Sequence, residues 1–213
     1  MRLYELEDQE IYHPAVQNFL DIVRQARSKV ESLTLLNQAG YKLLGRGDCG
    51  IVMNSPAGAG DFIVKFWSID AGYEKAVACF AENQMNPHFP RLLAGPIRNV
   101  KNVDNVLFMN EMQSLSDHRD PKSYTDTIII DIAKGILVSD ITKNYVSNHI
   151  EAEWSRFKNS YREHDDFFNQ CLGLSNALKI LKAFAPDKRF DLHYGNFMRH
   201  PGGDIVVTDP FWS

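Results

Sequence analysis

The sequence predicts an α+β protein, in which N-terminal helices precede a small antiparallel sheet that carries one helix, and a mainly helical half follows. Three observations predict this class. Apolar residues recur at helical spacing at the start of the chain, then gather into short runs between glycine- and proline-rich turns, and return to helical spacing before a final hairpin signal. The length of 213 residues is sufficient for one domain or for two small lobes.

Residues 1–40 are predicted to form an N-terminal helical extension. Between residues 14 and 36 the apolar side chains are spaced as on one face of a helix, so one or two helices are expected. Gln38, Ala39 and Gly40 provide the stop signal, because glycine readily adopts the left-handed conformation that ends many helices.

Residues 41–112 are predicted to form the sheet and its helix. Short apolar runs bounded by turn residues indicate the strands. The expected strands are residues 41–44, 51–53, 62–67, 98–103 and 106–109. Asp104 and Asn105 are expected to join the last two of them. A helix is predicted over residues 71–85 because apolar residues recur there at helical spacing. This helical stripe consists of Val77, Ala78, Ala81 and Met85.

Residues 113–213 are predicted to form the helical half. A helix is expected over residues 165–185, and residues 124–138 are a candidate helix, although three consecutive isoleucines leave that segment ambiguous. Two short apolar runs, residues 197–198 and 205–207, flank a Pro-Gly-Gly sequence, which indicates a hairpin.

The composition excludes several classes of function. A net charge of −4, without a run of like charges, does not provide the basic surface of a nucleic-acid-binding protein, so no direct contact with nucleic acid is expected. Cys49, Cys79 and Cys171 are widely spaced, match neither a disulfide framework nor a zinc site, and indicate a reducing cytoplasm. The polar N-terminus does not resemble a signal peptide, and no apolar stretch has membrane-spanning length, so no membrane association is expected.

A glycine-rich segment follows the pattern G-x-G-x-x-G-x-V through Gly45, Gly47, Gly50 and Val52. Glycines in a tight turn let backbone N–H groups approach phosphate oxygens, so the pattern is typical of phosphate-binding loops. A dinucleotide-binding turn would be followed by a helix, whereas a predicted strand follows here. On this pattern alone, a phosphate-binding loop and a plain hairpin are equally supported.

Lys65 lies in an apolar predicted strand, where an unpaired charge would be costly to bury, so an anionic partner is expected. Glu74 is the favoured partner, because it shares the apolar stripe of the predicted helix and so points toward the core. Glu82 is the alternative, one turn out of line with that stripe. The other interpretations are an outward-facing lysine and a glutamate that only favours the start of the helix.

The strongest motif lies near the C-terminus, where Asp191 and Asn196 have the spacing D-x-x-x-x-N and Asp209 follows the predicted hairpin. Because a hairpin returns the chain to its starting edge, Asp209 is expected beside Asn196. Phosphoryl transfer requires such a set, since one carboxylate accepts the proton of the hydroxyl, while a second carboxylate and an amide oxygen hold Mg²⁺. A polar loop followed by a turn aspartate is the alternative interpretation.

Three segments carry a resemblance to a known family. They are Ala39-Gly40-Tyr41-Lys42-Leu43-Leu44-Gly45, Phe190-Asp191-Leu192-His193-x-Gly195-Asn196-x-Met198 and Thr208-Asp209-Pro210. Through them the chain, from residue 38 to the C-terminus, resembles the early serine/threonine protein kinases of podovirus bacteriophages (autographivirus type), the host-shutoff kinases. More distantly it is similar to the wider protein-kinase-like superfamily, including small-molecule phosphotransferases with an Asp-Leu-His-x-Gly-Asn loop.

The resemblance implies a protein-kinase-like two-lobed fold, in which residues 41–112 form the N-lobe and residues 113–213 form a truncated C-lobe that ends just after the metal-binding aspartate. It also implies ATP and Mg²⁺ as cofactors. The implied ATP-binding residues are Gly45, Gly47, Gly50, Val52, Lys65, Glu74, Glu111 and Met112. The implied catalytic residues are Asp191, Lys65 and His193, and the implied metal ligands are Asn196 and Asp209.

Three features depart from the pattern of the family. Arg189 replaces the histidine that usually stands two positions before the catalytic aspartate. Asp209-Pro210-Phe211 lacks the glycine that usually follows the metal ligand by two positions, and no activation segment follows it.

The function that the resemblance implies is phosphorylation of host proteins of transcription and translation in the cytoplasm of the infected bacterium, with RNA polymerase as one candidate partner. A non-catalytic kinase-fold protein would instead bind and inhibit such a host protein. The short C-lobe favours that alternative, and the complete set of phosphate- and metal-binding residues disfavours it. A small-molecule phosphotransferase is suggested by the Asp-Leu-His-x-Gly-Asn loop, although such enzymes usually carry a larger acidic pocket after the metal aspartate.

Overall fold

The computed structural model describes residues 13–46, 50–58, 61–68, 70–114, 121–138, 152 and 164–211. These residues contain five helices and eight strands, so the predicted α+β class is confirmed. They divide into two compact units. The first comprises the described residues up to Ala81 together with Arg91–Glu111, and the second comprises Glu82–Pro90 and the described residues from Met112 onward. Within these ranges no helix is both long and apolar enough to cross a lipid bilayer.

Two helices open the first unit, α1 (Pro14–Gln25) and α2 (Lys29–Gln38). Proline begins α1 favourably, because its missing N–H would have no partner in the first turn. At the start of α2 the Ser28 hydroxyl accepts a hydrogen bond from the backbone N–H of Glu31, at 3.2 Å. Gly40, with φ of +93°, follows the end of α2. The predicted helices and their stop signal are therefore confirmed.

A five-stranded antiparallel sheet forms the centre of the first unit. Its strands are β1 (Lys42–Arg46), β2 (Gly50–Asn54), β3 (Phe62–Trp67), β4 (Leu92–Val100) and β5 (Asp104–Asn110). Their order across the sheet is β1-β2-β3-β5-β4, so β3 is the central strand and all of its residues are buried. Phe19 of α1 packs edge-on against Phe108 of β5, with ring centroids 5.3 Å apart, and so covers one face of the sheet.

The hairpin between β4 and β5 differs from the prediction. The connecting turn lies at residues 101–103, not at Asp104 and Asn105, and β4 begins at Leu92 instead of residue 98. The sequence Gly95-Pro96 resembles a turn, but β4 is an edge strand, where proline removes no hydrogen bond that the sheet needs. Because proline interrupts the apolar run, the start of β4 was predicted too far toward the C-terminus.

Helix α3 (Ala71–Glu82) lies between β3 and β4 in the sequence, as predicted, but its buried face is different. The buried residues are Gly72, Tyr73, Ala76, Val77, Cys79 and Phe80. Ala78 and Ala81 are only partly buried, and Met85 lies beyond the helix with 92% of its surface exposed. Because aromatic rings bury much more apolar area than alanine, the helix turns Tyr73 and Phe80 inward, and Glu74 moves to the edge of the buried face.

The second unit contains two long helices and a small sheet. The helices are α4 (Pro121–Val138) and α5 (His164–Phe184), and the strands are β6 (Gln113–Ser114), β7 (Phe197–Arg199) and β8 (Ile205–Val207). The three isoleucines near residue 129 lie in a helix, which resolves the ambiguity of that segment. Phe197 pairs with Val207, so the predicted hairpin is confirmed, while β6 adds a third strand that was not predicted.

The segment Glu82–Pro90 is held within the second unit by His88, of which only 4% is exposed. The backbone carbonyl of His88 accepts a hydrogen bond from the N–H of Val207, at 3.0 Å. Its Nδ1 lies 2.8 Å from the carbonyl oxygen of Ile205, and because a carbonyl only accepts, Nδ1 carries the proton. Burial lowers the pKa of this imidazole; the hydrogen bond to the Ile205 carbonyl and the charge of Asp204 partly oppose this, and the nearby His200 adds a smaller lowering.

Candidate active site

Asp191, Asn196 and Asp209, named here the Asp–Asn cluster, come together within the second unit. The backbone N–H and the hydroxyl of Thr208 both donate to the carbonyl oxygen of Asn196, at 2.9 and 3.0 Å. On the other side of Asp209, the carbonyl of Pro210 accepts from the N–H of Asp191, at 2.8 Å. Asp209 is therefore tied to the loop of Asp191 and Asn196 through both of its chain neighbours.

Asn196 is 8% exposed, and its two amide atoms have separate surroundings. Its Nδ2 donates to the carbonyl oxygen of Asp191, at 2.6 Å, across the loop that leads into β7. This bond fixes the side chain and leaves the oxygen, Oδ1, as the atom that can coordinate a cation. The short 3₁₀ turn Tyr194–Asn196 places the residue, because its N-terminal cap His193 accepts from the N–H of Gly195, at 3.1 Å.

His193 lies beside the carboxylate of Asp191, with its Nε2 3.6 Å from Oδ2. Because Nδ1 accepts the hydrogen bond from Gly195, the neutral ring carries its proton on Nε2, the atom nearest Asp191. The distance is longer than a hydrogen bond, so the contact is electrostatic in this arrangement. The side chain of Asp191 is 21% exposed and that of His193 is 62% exposed, so both can be reached by a substrate from solvent.

A stacked aromatic pair joins the two segments that carry the cluster. Phe190 precedes Asp191, and Phe211 stands two positions after Asp209; their rings stack with centroids 5.3 Å apart and planes 16° apart. The two residues also form a single antiparallel backbone bridge. Sequence reasoning did not identify this pair, although the signal was available in two phenylalanines flanking the two aspartates. The stack and the bridge hold the segment of Asp191 next to the segment of Asp209.

The donor set of the cluster fits Mg²⁺. Asp209 offers a carboxylate and Asn196 an amide oxygen, and Mg²⁺ prefers such hard oxygen ligands and completes its shell with water and substrate phosphates. Among the residues that the structure describes, no group of three or more His, Cys, Asp or Glu side chains is placed to hold a metal ion. A carboxylate and an amide oxygen are compatible with a cation that is shared with a phosphate ligand.

Lys65 occupies the centre of the first unit, on β3, and is 7% exposed. It pairs across the sheet with Val52 of β2, which in turn pairs with Gly45 of β1. A Cβ atom on Gly50 would lie 3.3 Å from Cε of Lys65, so glycine at this position leaves room for the lysine stem. The structure thus places Gly45, Gly50, Val52 and Lys65 on three adjacent strands.

The structure covers only part of the remaining residues that the resemblance implies for ATP binding, which are Gly47, Glu111 and Met112. Gly47 lies outside the described residues. The backbone N–H of Glu111, at the end of the first unit, donates to the carbonyl of Asp61, at 2.9 Å. Met112 is the first residue of the second unit and is 2% exposed.

The predicted pair of Lys65 and Glu74 is not the arrangement that the structure shows. The carboxylate of Glu74 pairs with the guanidinium of Arg98 and accepts a second hydrogen bond from Asn105, at 3.4 Å. The ammonium group of Lys65 lies over the ring of Tyr73, 3.5 Å from its centroid. The physical reason is the orientation of α3. It buries Tyr73 and therefore directs the neighbouring Glu74 toward the β4–β5 hairpin.

Glu82, the alternative partner, is exposed at the last residue of α3.

Each unit has its own chemical groups: the first holds a buried lysine against an aromatic ring, and the second holds two carboxylates and an amide around one loop. Such groups can bind phosphate, hold a hard cation and accept a proton from a hydroxyl. Comparison of the sequence with protein-family models and with curated proteins finds no match.

Proposed function

We propose that this chain is an ATP- and Mg²⁺-dependent serine/threonine protein kinase of the bacteriophage type, which phosphorylates proteins of the host cytoplasm. The observation that carries the proposal is the Asp–Asn cluster, in which the N–H of Asp191 donates to the carbonyl of Pro210, next to Asp209, and the side-chain amide of Asn196 is oriented by the carbonyl of Asp191. Two aspartates and an oriented amide on adjacent segments are the residue types that phosphoryl transfer requires.

The roles follow from the positions of the groups. Asp191 accepts the proton of the attacking hydroxyl, and its partly exposed carboxylate suits contact with a macromolecular substrate. Asp209 and the Oδ1 atom of Asn196 would hold Mg²⁺, which, when bound, shields the charge of the phosphates. Lys65 supplies positive charge to the phosphates from the central strand of the first unit.

The architecture supports the same proposal at a coarser level. An antiparallel sheet that carries one helix, with a lysine on its central strand, is what the resemblance implied for the smaller lobe. Two helices and a hairpin that carries the metal-binding residues are what it implied for the larger lobe. The substrate class, host proteins of transcription and translation with RNA polymerase as one candidate, rests on the resemblance alone.

A second candidate is a kinase-fold protein that binds a host protein without catalysis. One observation favours it: Glu74, which would hold the phosphate-binding lysine in an active kinase, pairs with Arg98 instead. The two functions differ in what they require of Asp191, because a binding protein has no use for a base beside the acceptor hydroxyl.

The test compares Asp191→Asn with Asp209→Asn in transfer of radiolabelled phosphate from ATP to casein and to a bacterial lysate. We expect Asp191→Asn to lower transfer by about 10²- to 10⁴-fold, as loss of an acid–base group does, with little change in ATP affinity. Asp209→Asn is expected to reduce both, because the cation that neutralises the phosphates loses its carboxylate ligand. Asp166→Asn, on the exposed first turn of α5, is the matched control for the same chemical change.

Equal transfer by the wild type and Asp191→Asn would contradict the assigned base. A wild-type protein that transfers no label, even to itself, but still inhibits bacterial transcription in vitro would contradict the kinase and support the non-catalytic binding protein.

A further inference from the structure

Tyr73 is the described side chain of α3 that lies against the buried lysine. The ammonium nitrogen of Lys65 is 3.5 Å from the centroid of the Tyr73 ring, well within the range in which the negative face of an aromatic ring attracts a cation. We propose that Tyr73 is a positioning residue for Lys65 and takes the place that a carboxylate on α3 was expected to fill. The inference rests on the proposed function for its catalytic meaning, but not for the contact itself.

The ring of Tyr73 is held rigidly. Tyr73 is 1% exposed and packs edge-on against Trp67, with ring centroids 4.8 Å apart and planes at 76°. Lys65 and Trp67 are two positions apart on β3, so their side chains project from the same face of the strand. Tyr73 therefore contacts two neighbours on one strand face, and a rigid ring of this kind fixes where the ammonium group can lie.

The neighbouring elements favour the same geometry. Gly50 on β2 leaves space for the stem of Lys65, since a Cβ atom there would approach Cε at 3.3 Å. Glu74, the next residue of α3, is engaged by Arg98 and Asn105 on the β4–β5 hairpin. The helix thus presents an aromatic face to the lysine and its carboxylate to an arginine.

An aromatic ring holds a cation differently from a carboxylate. A carboxylate would neutralise the lysine, whereas a ring attracts the ammonium group through its quadrupole and carries no net charge. The ring also stabilises the charged form of the lysine, so removing it should lower the pKa of Lys65.

The experiment measures the pH dependence of trace acetylation of Lys65 in the whole protein, free of nucleotide, with acetic anhydride and mass spectrometry of the Lys65 peptide. We expect Tyr73→Leu to move the profile to lower pH and to raise the acetylation rate at neutral pH by about 2- to 30-fold, the range to which cation–π energies convert. A change in access alone would scale the rate at every pH and leave the midpoint in place, so the midpoint identifies an electrostatic role.

Three further variants complete the test. Tyr73→Phe keeps the ring and is expected to restore the wild-type midpoint, whereas Tyr73→Met fills much of the same volume without a ring and should behave as Tyr73→Leu does. Glu74→Gln should leave the midpoint unchanged. The inference would be overturned if Glu74→Gln shifted the midpoint as much as Tyr73→Leu or Tyr73→Met does. It would also be overturned if Tyr73→Leu and Tyr73→Met were both folded and neither shifted the midpoint.

Protection by ATP separates this inference from the proposed function. Mg²⁺ and ATP should slow acetylation of Lys65 in the wild type if the lysine contacts phosphate. A midpoint that responds to the Tyr73 variants, in a protein that ATP does not protect, would sustain the positioning role and contradict the proposed kinase. Protection by ATP with no response to Tyr73 would do the reverse.

Discussion

The contact between Gly173 and His88 leaves room for no side chain larger than hydrogen. A Cβ atom built on Gly173 would lie 2.2 Å from Nε2 of His88 and 2.9 Å from its Cδ2. Since the imidazole is held in place by its bond to the Ile205 carbonyl, it cannot swing aside easily. A glycine in the middle of α5, which ordinarily weakens a helix, is therefore explained by packing.

The first prediction compares two helical glycines. Gly173→Ala is expected to destabilise the protein by about 1–3 kcal/mol, because the added methyl group overlaps a buried ring. Gly135→Ala, on the exposed face of α4, meets no atom within 4 Å and should stabilise by about 0.4–1 kcal/mol through higher helix propensity. Urea unfolding of both variants measures the difference. Equal effects of the same sign would contradict the contact at His88.

The sequence predicts contacts between site residues well where the residues are close along the chain, and poorly where the contact depends on packing between distant elements. Asp191, Asn196 and Asp209 were placed together correctly, because a short hairpin connects them and leaves the chain few alternatives. Glu74 was assigned wrongly, because adjacent positions of a helix differ by about 100° and the choice between Tyr73 and Glu74 depends on packing across the sheet. The sequence shows the helical spacing of apolar residues along α3, but it does not show which face of the helix is buried.

At the scale of elements, the segment Glu82–Pro90 is a connector that acts as part of the second unit. Its residue His88 bonds to two residues of β8 and contacts α5, so the segment is fixed by one buried imidazole. Asp204 and His200, in the turn between β7 and β8, are the titratable groups that influence it. Burial outweighs the charge of Asp204 and favours the neutral ring, so the stability of this element depends on pH.

The second prediction concerns that dependence. The pKa of His88 is lowered on folding, so the unfolded chain binds a proton more readily. The contribution of His88 to stability is complete above the unfolded pKa of about 6.5 and is lost as pH falls toward the folded pKa. His88→Gln retains a donor for the Ile205 carbonyl but does not titrate.

Urea unfolding between about pH 8 and pH 5 tests it. The wild type should lose more stability than His88→Gln below about pH 6.5, by at most about 1.4 kcal/mol per pH unit for one proton. Parallel curves for the two proteins would show that the burial of His88 does not control the acid sensitivity.

The elements themselves were predicted where the pattern was continuous. The period of apolar residues and the stop signal at Gln38-Ala39-Gly40 identified α1 and α2, and the Pro-Gly-Gly turn identified the hairpin of β7 and β8. The start of β4 was misplaced, because Gly95 and Pro96 break the strand signal and only the position of β4 at the edge of the sheet permits them. Strand order is a tertiary property, and local sequence does not contain it.

At the scale of the whole molecule, the two compact units are not consecutive in the sequence. Residues 82–90 belong to the second unit although Arg91–Glu111 returns to the first. The sequence boundary expected at residue 112 therefore separates only part of the second unit from the first. Helix α1 belongs to the first unit and is not a separate extension, because Phe19 packs on Phe108 within the core of that unit.

The last prediction concerns ligand binding by the complete chain. If the groups of the proposed site bind ATP with Mg²⁺, the native state is stabilised by the logarithm of the ratio of ligand concentration to Kd, about 2.7 kcal/mol at a hundredfold excess over Kd. For a chain of 213 residues this corresponds to a rise in Tm of about 5–10 °C. ATP with EDTA should give a smaller rise in Tm, because without the cation the carboxylate of Asp209 repels the phosphates and the neutral amide of Asn196 does not attract them. Asp209→Asn should abolish the difference between the two conditions, while Asp166→Asn should preserve it. The same rise in Tm with and without Mg²⁺ in the wild type would contradict the metal site, and no rise with millimolar ATP would contradict nucleotide binding altogether.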